Sequence, residues 1–410
     1  MYCVAFVTGI VTYTMSTLVQ AIDKFGVDIF KNLLKESSDG NISFSPLTIS
    51  AALSMVSLGA RGETAKQMER ALHFNEITGW PPHKSADIPV AGACCDQPGG
   101  PHEQFQALLS AINTHTKNYA LNIVNKLYGS DTFRFCQDYL DCITELYHAG
   151  LEAVDFRYTT EETRMKINSW AESQTNGKIK IFIENIDPTA ALILMSIIYF
   201  KGRWQLQFDP KRTHEAPFWT LKHDVKQVPM MVRRGIYKLA EIRNPSMTVA
   251  ELPYDNNEMS MFILLPNNKE YPEELGRGLT WEKLHEWTNS ANMKPCYVEV
   301  SLPKFTLEER YALQPVLEAT GITDVFIPGK SDLSGISEGY AQNLSLSRVV
   351  HRSYIEVNEE GTEAAAGARG KTGTKSVPDI IICRADHPFL FFIRHNRTQS
   401  ILFLGRFSSP

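Results

Sequence analysis

Cysteine is scarce in this chain and carries no pattern. The seven present, Cys3, Cys94, Cys95, Cys136, Cys142, Cys296 and Cys383, form an odd set without paired metal-ligand spacing. Neither a disulfide framework nor a metal centre is expected, and a reducing compartment is favoured. Excess charge of one sign is also missing: a net charge of −5 over 410 residues gives no global attraction for nucleic acid. Long apolar runs are lacking too. The first 22 residues are uncharged and residues 3–11 are largely apolar, but Thr8, Thr12 and Thr14 interrupt the stretch and no Lys or Arg precedes it. No membrane span is expected; residues 1–14 read as an upstream extension ahead of a start at Met15, or as a weak signal-like segment. The sequons at Asn41, Asn343 and Asn396 would matter only in a secreted protein. No internal repeat and no linker divides the chain.

What is present is the composition of a soluble globular protein, 43% hydrophobic and 21% charged, able to bury a large core. From Ile22, the apolar positions Phe25, Ile29, Phe30, Leu33 and Leu34 share a helical face, which residues 37–40 end. Residues 41–46 form a short strand-like piece, after which Ser45 caps a helix with Pro46 in its first position. That helix, 47–58, is apolar nearly all round and should be buried. A third helix begins near Glu63. Residues 75–101, rich in proline and carrying Cys94-Cys95, break the pattern and read as an insert loop. Without His or Cys partners at ligand spacing, that cysteine pair reads as two exposed thiols. Helical patterns return at 104–112, 137–149 and 160–173. Strand-like runs then dominate, at 191–200, 249–253, 259–265 and 297–303, with a closing hairpin of 389–393 and 401–407. Helices early, strands late and no linker predict one large α+β domain.

One stretch stands apart, VNEEGTEAAAGARGKTGTKSV at residues 357–377. Taken alternately from Thr362, the residues Thr362, Ala364, Ala366, Ala368, Gly370, Thr372 and Thr374 are all small and uncharged. The interleaved set, Glu363, Ala365, Gly367, Arg369, Lys371, Gly373 and Lys375, holds every charge. Because a strand sends alternate side chains to opposite faces, the segment could lie in a sheet with one face buried and all charges in water. Shifted by one residue it would bury Glu363, Arg369, Lys371 and Lys375 unpaired, at a cost of roughly several kcal/mol each. Its poverty in β-branched and aromatic residues would leave it an exposed loop when alone. It reads as a loop permitted to become a strand; the bland alternative is a flexible linker.

Enzyme signatures do not hold up. Gly335-Ile336-Ser337-Glu338-Gly339 has the spacing of a nucleophile elbow, but no apolar strand precedes it and no helix follows closely. Gly370-Lys371-Thr372 ends like a phosphate-binding loop, yet Ala365 stands where that motif needs glycine. His351, beside the strand-like Arg348-Val349-Val350, reads as a structural histidine rather than a general base. His214, His223 and His285 are scattered, and no metal site is proposed from them.

The stretches NISFSPLTISAALSMVSLGARGETAKQM from Asn41, INSWAESQTNGKI from Ile167, IYFKGRW from Ile198 and ELPYDNNEMSMFILLP from Glu251 follow one another in the order found in serpins. LPKF from Leu302, DLSGIS from Asp332, VHRSYIEVNEEGTEAAA from Val350 and HPFLFFIRHNRTQSILFLGRFSSP from His387 complete the set. From Met15 to Pro410 the chain closely resembles the serpin family. Its hinge and its ending look most like the intracellular, ovalbumin-related branch (clade B), especially leukocyte elastase inhibitor. The resemblance implies a serpin fold: a single domain of residues 15–410 with three β-sheets, about nine helices and an exposed reactive-centre loop near the C-terminus. It also implies that a target protease attacks the loop, forms an acyl-enzyme, and is trapped when the cut loop inserts into the large sheet. Family spacing counted from Glu359 makes Lys375-Ser376 the reactive bond, with Glu359, Glu360, Gly361, Thr362, Glu363, Ala364, Ala365 and Ala366 as the hinge. A lysine there suits trypsin-like serine proteases, whose pocket aspartate pairs with a cation. The implied partner is such a protease in a covalent acyl complex. No cofactor, metal, nucleic acid or membrane partner is implied. A monomer acting in the cytoplasm, with non-classical release to the extracellular space as a second route, is expected.

The resemblance further maps a polar sheet-opening cluster onto Ser45, Thr48, Ser196 and His351. The family favours serine at the position of Thr48 and asparagine at that of Ser196, so a different hydrogen-bond pattern is expected here. Gly367 and Ala368 replace the usual alanine and threonine; glycine adds loop entropy and would slow insertion. Residues 104–112 contain no Lys or Arg, so no heparin-type site is expected on that helix. Arg352, Arg369 and Lys371 read as solvated charges. Two alternatives to trypsin-like inhibition stay open: a non-inhibitory binding, storage or chaperone-like serpin, and a cross-class cysteine protease inhibitor.

Overall fold

The computed structural model describes residues 3–77, 99–113, 119–269, 273–338, 343–360 and 380–410. Nine α-helices lie among the described residues: α1 (Cys3–Glu36), α2 (Pro46–Gly59), α3 (Gly62–Ala71), α4 (Pro101–Ile112), α5 (Gln137–Tyr147), α6 (Thr160–Gln174), α7 (Glu273–Arg277), α8 (Trp281–Trp287) and α9 (Gln314–Ala319). No proline and no charge interrupts residues 3–22, so α1 starts well before the periodicity that begins at Ile22; it stops, as expected, at the Ser37-Ser38-Asp39-Gly40 break. Helix α2 is set by its first residues. The Ser45 hydroxyl accepts from the Thr48 N–H at 3.1 Å, and Pro46 needs no partner for a missing N–H. Every α2 residue except Leu58 is buried, so this apolar cylinder is the centre of the core.

The strands are β1 (Ile42–Phe44), β2 (Tyr119–Ser130), β3 (Arg134–Phe135), β4 (Gly150–Val154), β5 (Leu192–Gly202), β6 (His214–Trp219), β7 (Val225–Arg243), β8 (Ser246–Pro253), β9 (Met259–Pro266), β10 (Lys294–Pro303), β11 (Phe305–Ala312), β12 (Ser337–Glu338), β13 (Leu346–Val357), β14 (Ile381–Arg384), β15 (Phe389–His395) and β16 (Ile401–Phe407). They form three sheets among the described residues. One has five strands in the order β11-β13-β5-β2-β4; one has nine, β1-β16-β15-β9-β8-β7-β10-β14 with β6 also on β7; the third is the pair β12-β3. Among the described residues, the α+β architecture with three sheets and nine helices matches what the resemblance implied.

Several strands were not legible in advance. β2 carries Asn122, Asn125 and Lys126, and the 19-residue β7 carries Pro229, Arg233 and Arg234, so neither shows an unbroken apolar run. Each is held instead by its neighbours' ladders, β2 by β5 and β7 by β10. The helix read at 137–149 ends at Tyr147, where His148 adopts the left-handed region and Gly150 opens β4. Cys142 is disulfide-bonded, contrary to the reduced set expected; Cys136, Cys296 and Cys383 are free. The cysteines at 94 and 95, and most of the 75–101 insert, fall outside the described residues.

Candidate functional site

In the middle of the five-stranded sheet, β5 and β13 run parallel, from Ile193 opposite Arg348 to Lys201 opposite Glu356. A chain that leaves β13 at Val357 and folds back runs antiparallel to β13, and therefore also antiparallel to β5. If the seam opened, one returning strand could complete antiparallel ladders on both of its sides. The topology thus gives the residues after Val357 a slot whose two walls both match their direction.

Side-chain alternation decides what each face of that slot contains. Leu194, Ile198 and Phe200 of β5, with Val349, Ile355 and Val357 of β13, point into the main core. Ile193, Met195, Ile197 and Tyr199, with Val350 and Tyr354, face a second apolar layer supplied by Ile167 and Ala171 of α6 and by Ile179, Phe182 and Ile183 beyond it. Tyr199 and Tyr354 stack across the seam, ring centroids 5.4 Å apart.

On the core side, Ser45, Thr48, Ser196 and His351 come together in one fully buried network. The Ser45 N–H donates to His351 Nε2 at 3.1 Å, so that nitrogen is the unprotonated acceptor. Nδ1 therefore carries the hydrogen and donates to Ser196 Oγ at 3.0 Å, joining residues 155 apart in sequence. The Thr48 and Ser45 hydroxyls are 2.8 Å apart. With serine at 196 the bond across the seam falls on a hydroxyl, and threonine at 48 pairs with the capping serine. Tyr311 extends the network: its ring stacks on His351, and its hydroxyl accepts from the Ser43 N–H at 3.1 Å. Ser353 Oγ donates to the Ser43 carbonyl at 2.6 Å. Tyr311, Ser43 and Ser353 carry no sequence signal beyond lying on β11, β1 and β13.

Burial holds the His351 imidazole down to about 3, against a smaller opposing pull from its hydrogen bond to the Ser196 backbone. The unfolded chain takes up this proton near pH 6.5 and the folded chain does not, so the contribution to stability is complete above that pH and is lost as pH falls toward 3. His395, held down to about 4 by burial with a further contribution from Arg397, acts in the same direction. His351 alone should account for a loss of ~2 kcal/mol between pH 6.5 and pH 5. Urea unfolding midpoints of wild type and His351→Asn at pH 7 and pH 5 check this: the variant should be weaker at pH 7 and show a shallower decline, and equal slopes would refute the assignment.

Where the chain leaves β13, a polar latch holds the first hinge residues. Trp204 Nε1 donates to the Asn358 carbonyl at 2.8 Å, and the Glu360 N–H donates to Asn358 Oδ1 at 2.9 Å. Glu359 meets Lys304 at 2.8 Å and Thr213 Oγ1 at 3.0 Å. Burial pushes the Glu359 carboxyl up, but the bonds from Lys304, its own backbone and Thr213 outweigh this and hold it below the usual range. Lys201 at the end of β5 reaches Glu360 at 3.0 Å and Glu356 at 3.4 Å, thus bridging the top of the seam. Trp204 stacks on Tyr254 at 4.3 Å, which fixes its indole. Trp204 and Lys304 lie inside the quoted IYFKGRW and LPKF stretches, but nothing in the sequence says that Trp204 meets Asn358, 154 positions away, or that Lys304 meets Glu359. Gly361, Thr362, Glu363, Ala364, Ala365, Ala366, Lys375 and Ser376 lie outside the described residues.

On the α6 side, three arginines strap the chain that follows α6 over the seam. Arg348 donates to the Asn185 carbonyl at 2.7 Å, Arg310 pairs with Glu184, and Arg352 donates to the Ile181 carbonyl and to Glu308. Arg352 is therefore buried and paired, not the solvated charge that its place in the sequence suggested, because even-numbered β13 side chains face this strap. At the opposite end of the seam from the latch the strands slip register between Leu346 and Arg348. An open cleft of about 610 Å³, lined by Ile193, Ser347, Val349 and Pro315 among others, lies there. Elsewhere, Ser337 of the elbow-like stretch is buried with its hydroxyl donating to the Arg134 carbonyl, and Gly370, Lys371 and Thr372 lie outside the described residues. Among the described residues no group of His, Cys, Asp or Glu could hold a metal ion, and no helix is long and apolar enough to cross a membrane.

Comparison with known proteins agrees with this geometry. A family model described as serpin (serine protease inhibitor) matches residues 20–410. Human Serpin B11 is 44% identical over 97% of this chain and all of its own length, and human Serpin B3 is 42% identical with the same coverage. Leukocyte elastase inhibitor of Equus caballus, also matched over 97% of this chain and its full length, is 41% identical, so that inhibitor is not singled out within the branch. Among solved structures, uncleaved ovalbumin superposes with a TM-score of 0.85 at 34% identity, covering 96% of this chain and 100% of its own. Maspin gives 0.84 at 31% identity, over 97% and 100%. Matched along nearly its whole length by family model, sequence and structure, the chain belongs to the serpin family, in its ovalbumin-related B branch.

Proposed function

We propose that the protein is a suicide-type inhibitor of trypsin-like serine endopeptidases, cut at Lys375-Ser376 and locked by insertion of residues 362–374 between β5 and β13. The observation that carries the reading is the parallel seam of β5 and β13, which a chain folding back from Val357 would meet antiparallel on both sides. At about 3.3 Å per residue, those residues would form a strand of about 43 Å, comparable with the 11-residue β5 and the 12-residue β13 that would flank it. An acyl group at its far end would travel the length of the sheet. In the chemical step, the protease serine attacks the Lys375 carbonyl carbon, the bond to the Ser376 nitrogen breaks, and the leaving amine takes the proton from the protease histidine. The protease stays esterified to Lys375 unless water arrives first. Insertion competes with that water.

Incubation with a small excess of trypsin, followed by a denaturing gel and sequencing of the released fragment, tests the reading. A band at the summed mass and a fragment beginning at Ser376 are expected. Clean cleavage with no such band would overturn it. It would favour the second reading, a non-inhibitory binding, storage or chaperone-like serpin, for which Gly367 in the hinge is the observation that speaks. A cysteine protease as target would show as a complex with that class and none with trypsin.

We also propose action in the cytoplasm. An N-glycan attaches at Nδ2, and this atom of Asn41 already donates to the Ser409 carbonyl at 2.7 Å, that of Asn396 to Ser260 Oγ at 2.9 Å. The Asn396 nitrogen also donates to the Asn257 carbonyl at 3.0 Å, so both of its hydrogens are committed to the fold, which supports a non-secretory life; fractionation of producing cells checks it.

A further inference from the structure

The β14 edge of the nine-stranded sheet turns apolar side chains to water. In its register Ile236 of β7 lies opposite Tyr297 of β10, and the next row is Arg234, Glu299 and Ile382. Alternation puts both rows on one face, while Val298 and Val300 of β10 point inward and are buried. Ile236 is 69% exposed, Ile382 64% and Tyr297 37%. Single exposed apolar residues need no account, but a cluster that reaches an edge strand does, because such edges invite unwanted pairing. A groove of about 450 Å³ continues from this shelf past Glu299 to His214 and Arg384.

The position of the shelf identifies what covers it. Residues 361–379 rejoin the described chain at Ile380, directly before β14. At their other end, Glu359 is held by Thr213, the residue before the groove's His214. One end of that segment therefore borders the groove, and the other leads straight into the shelf's own edge strand. Ser376 is four residues from Ile380, a reach of at most about 14 Å. A protease domain of about 220 residues has a radius of gyration of about 17 Å, so it is wider than that tether. With Lys375-Ser376 in its cleft, its body comes within reach of the shelf.

We infer that Ile236, Tyr297 and Ile382 form a second docking surface for the attacking protease, seating apolar side chains of its rim on the leaving-group side of the cut. The inference rests on Lys375-Ser376 being the reactive bond. The shelf would contribute to recognition before any bond is broken, and hence to the rate of capture and to the choice among proteases that all accept lysine.

Binding to trypsin whose nucleophilic serine is replaced by alanine isolates docking from cleavage and insertion. Ile236→Ser/Ile382→Ser, and separately Tyr297→Ser, should keep the wild-type thermal transition, since these side chains are exposed, and should weaken Kd at least tenfold for the double variant. Affinities within twofold of wild type, with Lys375→Ala still abolishing binding, would overturn the docking surface and leave the reactive-bond reading standing. Unchanged binding by Lys375→Ala would overturn the reactive-bond reading and the inference with it. Light scattering covers the other occupant: a wild-type dimer dispersed by the double variant would show that a second copy covers the shelf, and would overturn the proposal.

Discussion

Thr362→Arg is expected to turn the protein from a trap into a substrate. Trypsin should still cut Lys375-Ser376, but covalent complex should fall to less than about a tenth of the product. At the top of the seam an inserting strand enters between Lys201 of β5 and Glu356 of β13. Just below, its core-facing side chains meet Ile355 and Phe200, which are fully buried, and the Trp204-Tyr254 stack. The carboxylates nearest in the chain are not free to meet that layer: Glu356 alternates to the other face, and Glu359 and Glu360 are already paired outside the slot. An arginine there would be desolvated without a partner, at a cost of roughly several kcal/mol. Raising the insertion barrier by even ~3 kcal/mol slows it more than a hundredfold, enough for water to win the competition for the acyl bond. Glu363→Arg is the matched control, because its register falls on the opposite face at the mouth of the seam, where Lys201 and Glu356 are only partly buried; it should leave trapping nearly intact. The measurement is the ratio of complex to cleaved protein on a denaturing gel for the two variants. Equal yields would show that the register is wrong.

Lys375→Ala should lower the second-order rate constant for trypsin inhibition by about 10³-fold or more. The trypsin pocket carries a buried aspartate that an alanine leaves unpaired, and sites built around a polar contact discriminate strongly against substrates that lack it. Nothing in the seam, the latch or the strap touches this residue's role, so thermal stability and the yield of cleaved-and-inserted protein with another protease should not move. Lys375→Leu should go further and redirect inhibition toward a protease with an apolar pocket. A wild-type rate for Lys375→Ala against trypsin would move the reactive bond elsewhere, with Arg369 and Lys371 as the next cations to examine. Both lie closer to the hinge, and cutting at either would leave too short a strand to span the seam.

Much of the local chemistry was legible in advance. Ser45-Pro46 announced the start of α2, the apolar run after it announced a central buried helix, and the break at residues 395–399 announced the last hairpin. His351 was recognisable as structural from its strand-like context, although its tautomer was not: that is set by the Ser45 N–H, more than 300 residues away. Arg352 was misread because an alternating strand says which residues share a face and not whether water or protein covers that face. β7 and β2 were missed for a related reason: their stability comes from ladders to strands that are themselves distant in sequence.

By itself the sequence determined the caps, the faces and the two-register alternation from Thr362 to Thr374, because each depends on residues within a few positions of one another. Only the tertiary structure decided that β5 and β13 run side by side in parallel, that Trp204, Lys201, Thr213 and Lys304 converge on the residues leaving β13, and that Ile236 and Ile382 share one exposed face. Side-chain periodicity fixes orientation about a strand's own axis. Which strand lies next to it depends on how the whole chain closes its loops and buries its apolar faces, and that is a property of all the elements at once.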